Sequence, residues 1–192
     1  MNLNSRVGIS LSAAVSKVAA DMREITVKVS GSKGRLGSGT VWRPGLMVTN
    51  AHVANSQVHE VQFATGMRAR GWLVARDRKL DLAALTVSTP FDCIANIRSA
   101  SDLRAGEIVL ALGNPFDGQG SVTTGIVHRP AGKSRRLFAD IRLAPGYSGG
   151  PLAETSGAVI GINSMIVGPL GCAITSDAVE EFLRKFHLSE AA

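Results

Sequence analysis

The chain has 192 residues, 45% of them apolar, 21 glycines and a formal net charge of +6. That length holds one large domain or two small cores, and no apolar run approaches the roughly 18 residues that a transmembrane helix needs. The basic balance points towards nucleic acid, an anionic surface or acidic substrates. The densest basic run, Lys133-Ser134-Arg135-Arg136, has no interleaved aromatic residues to stack bases, so it reads as a solvated loop and excludes a nucleic-acid platform.

The first segment is interrupted by Ser10, Ser12, Ser16 and Lys17 and is too polar for a secretory leader. The compartment is therefore cytoplasmic if Met1 is native and extracytoplasmic if a leader has been trimmed. Leu11, Val15, Val18 and Met22 fall on one helical face and predict a helix over about 11–23. From Glu24 the period changes to two, with Ile25, Val27 and Val29 alternating with polar residues, which predicts a strand ending in a turn over Gly31 to Gly34.

Short strands then follow over 37–42, 46–49, 58–64, 71–76 and 82–87, separated by turn residues. A connector over 90–101 precedes a second set at 107–112, 121–128, 136–142, 159–165 and 171–175. Two such sets predict an all-β fold of two packed β units. A closing helix at about 177–187 presents Val179, Phe182, Leu183 and Phe186 on one face. Ser176 or Asp177 is placed to cap it, and Glu180 stands at capping-box spacing from Asp177. Cys93 and Cys172 can form at most one bridge and read as free thiols, buried or half-buried. No Cys/His cluster suggests a metal, and no cofactor motif is present.

Gly146-Tyr147-Ser148-Gly149-Gly150-Pro151-Leu152 is the segment with the clearest chemistry. A serine hydroxyl is a poor nucleophile unless a base takes its proton and donors meet the developing oxyanion. Flanking glycines allow a sharp turn and clear room for a carbonyl, so that the backbone N–H groups of Gly146 and Ser148 can converge on one oxygen. Among four histidines, His52 follows an apolar strand in Val48-Thr49-Asn50-Ala51-His52-Val53, whereas His59, His128 and His187 sit in polar surroundings and read as surface residues. Asp81 opens the apolar run Leu82-Ala83-Ala84-Leu85, where a carboxylate is costly without a partner. The order His52, Asp81, Ser148 matches one of the known serine-hydrolase designs. A histidine base predicts activity that rises with pH through neutrality.

These segments resemble the trypsin/chymotrypsin-fold serine proteases, and the HtrA (Deg) branch in particular. The resemblance runs from about residue 24 to 185 through Gly37-Ser38-Gly39-Thr40, the His52 and Asp81 segments, Leu112-Gly113-Asn114-Pro115-Phe116, Thr123-Thr124-Gly125-Ile126-Val127, Asp140 to Leu152, Gly161-Ile162-Asn163-Ser164 and Ala173-Ile174. It implies a double six-stranded antiparallel β-barrel with short N- and C-terminal helices, as a single trypsin-like protease domain over 1–192. Its first barrel would span about 24–95 and its second about 105–175. His52 and Asp81 would come from the first barrel and Ser148 from the second, hydrolysing peptide bonds of unfolded or extended polypeptide. Substrate would add as a strand near Ser164 to Ile166. Leu143, Ser164, Met165, Ile166 and Cys172 would line a pocket for a small to medium aliphatic P1 side chain (the residue before the scissile bond). An inward-facing Arg142 would instead select acidic P1.

Three departures stand out. Tyr147 replaces the asparagine usual in the HtrA branch and cannot accept the ion pair of zymogen activation, the segment between Val29 and Gly39 is short, and no PDZ domain follows the last helix. HtrA relatives often trimerise, so the helix at 11–23 would serve a homotrimer or other homo-oligomer, or else pack on its own barrel. Two rival readings remain. A silent peptide-binding or chaperone-like module would keep the fold without cutting. An α/β-hydrolase would use Ser148 with Asp177 and His187, but needs alternating strands and helices, and only 44 residues follow Ser148.

Overall fold

The structure is a computed structural model that describes residues 3–31, 36–88, 93–115, 120–132 and 134–188. Most of the expected turn at Gly31 to Gly34, the start of the connector, Phe116 and Lys133 lie outside the described residues. Helix α1 (Leu3–Glu24) begins eight residues before the predicted start. It stops where the apolar period changes from helical to alternating. Thr26 Oγ1 donates to Met22 O at 2.7 Å, satisfying a carbonyl that the last turn leaves without an intrahelical partner.

Twelve strands follow: β1 (Thr26–Ser30), β2 (Leu36–Arg43), β3 (Leu46–Thr49), β4 (Val58–Gln62), β5 (Arg68–Asp77), β6 (Leu82–Val87), β7 (Ile108–Gly113), β8 (Ser121–Arg129), β9 (Arg136–Asp140), β10 (Pro151–Glu154), β11 (Val159–Val167) and β12 (Leu170–Thr175). They close two barrels, in the orders β1-β2-β3-β6-β5-β4 and β10-β11-β12-β9-β8-β7. Pairing is antiparallel throughout, and β1 with β4 and β10 with β7 complete the closures. Closure removes the free edges that an open sheet would leave. Strand β10 was not predicted, because four residues headed by proline give too little alternation to register as a strand.

Val27, Val29, Met47, Val61 and Leu85 fill the first barrel, and Val109, Ala111, Leu137, Ile160 and Ala173 fill the second. A third cluster joins them: Trp42, Val48 and Leu82 of the first barrel pack with Val159, Ile162 and Ile174 of the second and with Phe182 and Leu183 of helix α2 (Ser176–Lys185). Full burial of each such side chain stabilises by roughly 1.5–3 kcal/mol, so this cluster fixes the relative placement of the barrels and hence of the cleft between them. Val18 and Met22 of α1 lie against Leu110, Leu112 and Ala153, which seats the C-terminal half of that helix on its own chain.

Several sequence expectations need correction. The cap of α2 is Thr175, whose Oγ1 accepts from Ala178 N at 3.3 Å, and not Ser176 or Asp177. Asp177 accepts instead from Ser99 Oγ and Ala100 N at 2.7 and 2.8 Å, and Glu180 accepts from Trp42 Nε1 while pairing with Arg43. Tertiary partners have taken both carboxylates away from the local cap. His59 is buried, with its ring nitrogens against Ser56 O at 2.8 Å and Ser30 O at 3.2 Å. It sits at an inward position of β4, where the alternating pattern that marked the strand also buries the ring. Of the basic run, Arg136 starts β9 and Arg135 is bonded to Glu181. Both cysteines are free, but Cys93 is exposed because it lies in the connector beyond the barrel wall.

Candidate active site

His52 follows β3 in a helical turn, in which Val53 N and Ala54 N both donate to Asn50 O. The turn is pinned from below, since Asn50 Nδ2 and Ala51 N donate to Asp81 O at 3.0 and 3.2 Å. Asp81 precedes β6 with φ of +62°, a left-handed conformation that aspartate tolerates better than most residues but that still stores strain. The bend before it is tied by Asp77, whose Oδ1 accepts from Lys79 N and Leu80 N. The Leu80 N–H foremost, with the Lys185 ammonium, holds the Asp77 carboxyl below its ordinary value despite some desolvation.

The result is a fixed imidazole–carboxylate pair. His52 Nδ1 lies 3.0 and 2.9 Å from the two Asp81 oxygens, and its backbone N–H donates to Oδ1 at 3.1 Å. The carboxylate is 14% exposed and the imidazole 49%, so the acid is shielded while the ring opens on the cleft. Ser164 Oγ donates to Asp81 Oδ2 at 2.8 Å. That contact comes from the opposite barrel. It exists because the pairing of β11 with β12 shifts between Asn163 and Met165, which turns Ser164 out of the ladder.

Ser148 stands on the turn between β9 and β10. Gly149 has φ of +89°, and a Cβ there would come within 2.0 Å of Ser38 O, so only glycine fits. Gly146 has φ of +105°, and its carbonyl faces the first barrel, accepting from Ser38 Oγ at 2.7 Å and Asn114 N at 3.2 Å. Ser38 N donates to Ser148 O at 2.8 Å, and Thr40 Oγ1 to Gly149 O at 3.1 Å. The elbow is therefore held by strand β2 of the other barrel. The N–H groups of Gly146 and Ser148 donate to no other described residue. Ser148 Oγ itself donates to Ser164 O at 3.0 Å, and among the described residues no hydrogen bond joins it to His52.

A pocket of about 270 Å³ opens beside Ser148, lined by Leu143, Ala144, Pro145, Tyr147, Ser148, Ser164, Met165 and Ile166. Four of the five residues expected there contribute. Cys172 is 1% exposed, lies in β12 opposite Met165 and is not part of the lining. Burial raises its thiol pKa, which keeps it protonated. Arg142 is exposed and lies outside the pocket. Tyr147 is buried behind the elbow, packed with Ile141, Leu137 and Leu152, and desolvation raises its phenol. Asp177 and His187, the partners an α/β-hydrolase would need, lie on α2 and just after it, with Asp177 committed to Ser99 and Ala100.

Sequence reasoning gave no role to Ser38, Thr40 or Asn114, and gave Ser164 a substrate role without its bond to Asp81. The first two stand in the Gly37-Ser38-Gly39-Thr40 string, where small polar residues in a buried strand were the available signal.

Comparison with known proteins agrees with the double-barrel fold. A family model described as the trypsin-like peptidase domain matches residues 37–162. The chain is 38% identical to serine protease HTR4 of Bos taurus over 84% of its length, 39% identical to serine protease HTRA4 of Mus musculus over 79%, and 38% identical to mitochondrial serine protease HTRA2 of Bos taurus over 78%. It spans about a third of the length of these relatives, at 35%, 34% and 36% respectively. With two closed six-stranded barrels and a family match over most of its length, the chain belongs to the trypsin-like peptidase family and is HtrA-like within it.

Proposed function

We propose that residues 1–192 act as one protease unit, a serine endopeptidase in which Ser148 attacks a peptide carbonyl, His52 takes its proton and returns it to the leaving amine, and Asp81 orients His52. The observation that carries this reading is the carboxylate gripping the imidazole through both oxygens at 2.9 and 3.0 Å while itself held by Ser164 from the barrel that bears the serine. A proton on Nδ1 leaves Nε2 as the acceptor, and the Asp81 charge stabilises the imidazolium that forms. Rotation of Ser148 about χ1 carries its hydroxyl from Ser164 O towards His52, a side-chain motion far faster than turnover. The uncommitted N–H groups of Gly146 and Ser148 then stabilise the tetrahedral oxyanion, and water hydrolyses the acyl-enzyme.

The apolar pocket fits a small to medium aliphatic P1 side chain. Arg142 lies outside it, which disfavours acidic P1. An extended or unfolded polypeptide is the substrate form that suits the cleft, because among the described residues β11 beyond Ser164 pairs only with β12 and leaves its other edge open. Incubation with unfolded casein tests the reading. The wild type should degrade it, and Ser148→Ala or His52→Ala should lower kcat by roughly 10⁴–10⁶ without unfolding the chain.

One observation favours a second reading. The Ser148 hydroxyl bonds to Ser164 O and not to His52, the arrangement a peptide-binding module with a silent site would show. Equal survival of casein with wild type and Ser148→Ala would support that module.

A further inference from the structure

We propose that a cationic edge made by Arg136 and Arg129 of the second barrel with Arg78 and Lys79 of the first selects polypeptides with acidic side chains two and four residues before the scissile bond. This rests on the cleft receiving an extended peptide, as proposed above, and adds a substrate class to it.

The argument begins with strand geometry. A peptide laid along the open edge of Met165 to Val167 alternates its side chains between two faces. Its P1 residue enters the apolar pocket beside Leu143. The second and fourth residues before the scissile bond then face away from that pocket, towards the junction of the barrels. Arg136 stands at this junction. Its Nη1 lies 4.0 Å from Met165 Sδ on the substrate-binding strand, and its Nη2 lies 3.5 Å from Leu80 O in the bend that presents Asp81. Both contacts are long and use little of a guanidinium with five N–H donors.

The neighbouring cations are similarly uncommitted. Arg129 lies over the Phe138 ring at 4.5 Å, and Phe138 is paired across the sheet with Cys172, which is itself paired with Met165. Arg78 and Lys79 are exposed in the bend that carries Leu80. None of these four forms an ion pair with a carboxylate among the described residues, whereas Arg43 pairs with Glu180, Arg135 with Glu181 and Lys185 with Asp77. The acids of that bend are already occupied: Asp77 pairs with Lys185 and accepts from Lys79 N and Leu80 N, and Asp81 is shielded and bonded to His52 and Ser164. A net charge of +6 adds long-range attraction of the same sign. A guanidinium offers paired donors that match a carboxylate, so a glutamate or aspartate on that face completes what the protein leaves open.

The test uses the full chain carrying Ser148→Ala and fluorescent peptides with an aliphatic P1 residue. One peptide has glutamate at the second and fourth positions before the scissile bond, its twin has glutamine there, and a third carries the two glutamates at the third and fifth positions. Anisotropy titrations should show the first binding about three- to tenfold more tightly than the second, an advantage that shrinks with added salt. The third peptide should lack most of it. Arg136→Gln should bring the ratio close to one, and Arg136→Lys should keep part of it. Equal affinity of the three peptides, an Arg136→Gln variant that retains the full preference, or binding by none of them overturns the proposal. Cleavage by the wild type is read separately. If both twins are cut at equal rates, the protease reading stands and the acidic preference falls. If neither is cut while Ser148→Ala still prefers the glutamate peptide, the preference stands and the catalytic reading falls.

Discussion

The Asp81 carboxylate is tied from three directions: His52 from the imidazole ring and its own backbone, and Ser164 from the second barrel. Substituting Ser164 by alanine removes the bond at Asp81 Oδ2, and a hydrogen bond to a charged group contributes about 1.5–3 kcal/mol. Ser164→Ala should therefore lower kcat by roughly ten- to a hundredfold in a casein assay, with the melting temperature changed far less than by a core substitution. This dependence was not legible in the sequence. Ser164 sits 83 positions from Asp81, and only the shifted register of β11 brings them together. The pairing of Asp81 with His52 was legible because a carboxylate at the head of an apolar run is costly without a partner and His52 directly follows an apolar strand, while Ser148 stood out as a candidate by its glycine-rich turn. His59 carries no such cue, because the β4 alternation that buries it marks a strand without telling which face a polar ring takes.

At the scale of elements, strand β2 holds the turn that bears Ser148 through Ser38 and Thr40, although it belongs to the other barrel. Ser38 Oγ donates to Gly146 O and accepts from Asn114 N and Nδ2 at 2.9 and 3.2 Å, so among the described residues Ser38→Ala leaves the buried Asn114 Nδ2 without a partner and Gly146 O and Asn114 N with only each other. The expected cost is about 1–3 kcal/mol in urea unfolding, with activity falling further than the loss of folded protein explains. Helix α2 gives a control away from the cleft: Thr175→Ala removes its cap and should cost about 0.5–2 kcal/mol while sparing turnover. Element legibility followed periodicity. Strands β3 and β6 match their predicted limits because apolar runs bounded by turn residues define both ends. Strand β10 and the first turns of α1 escaped because four residues after a glycine pair, and a serine-interrupted helix start, carry little periodic signal.

At the scale of the whole molecule, two barrels share one cluster of buried side chains with α2, so His52 and Asp81 of one barrel and Ser148 of the other are held in place by the same packing that stabilises the chain. Acid should loosen this assembly. Asp77 has its carboxyl lowered in the folded state, chiefly by the Leu80 N–H, so its contribution is present above the ordinary aspartate value near about 4 and is lost as pH falls below it. The fall in melting temperature below that pH should be shallower in Asp77→Asn than in the wild type. Thiol chemistry checks the packing independently: in the native state a maleimide should label exposed Cys93 quickly, and buried Cys172, with its raised pKa, only on unfolding. The central claim, a serine activated by the His52–Asp81 pair, is met most directly by reaction with a fluorophosphonate followed by intact mass. The account predicts a single adduct at Ser148, slowed at least a thousandfold in His52→Ala and absent in Ser148→Ala. An unmodified wild-type chain, or an adduct that forms equally fast without His52, contradicts it.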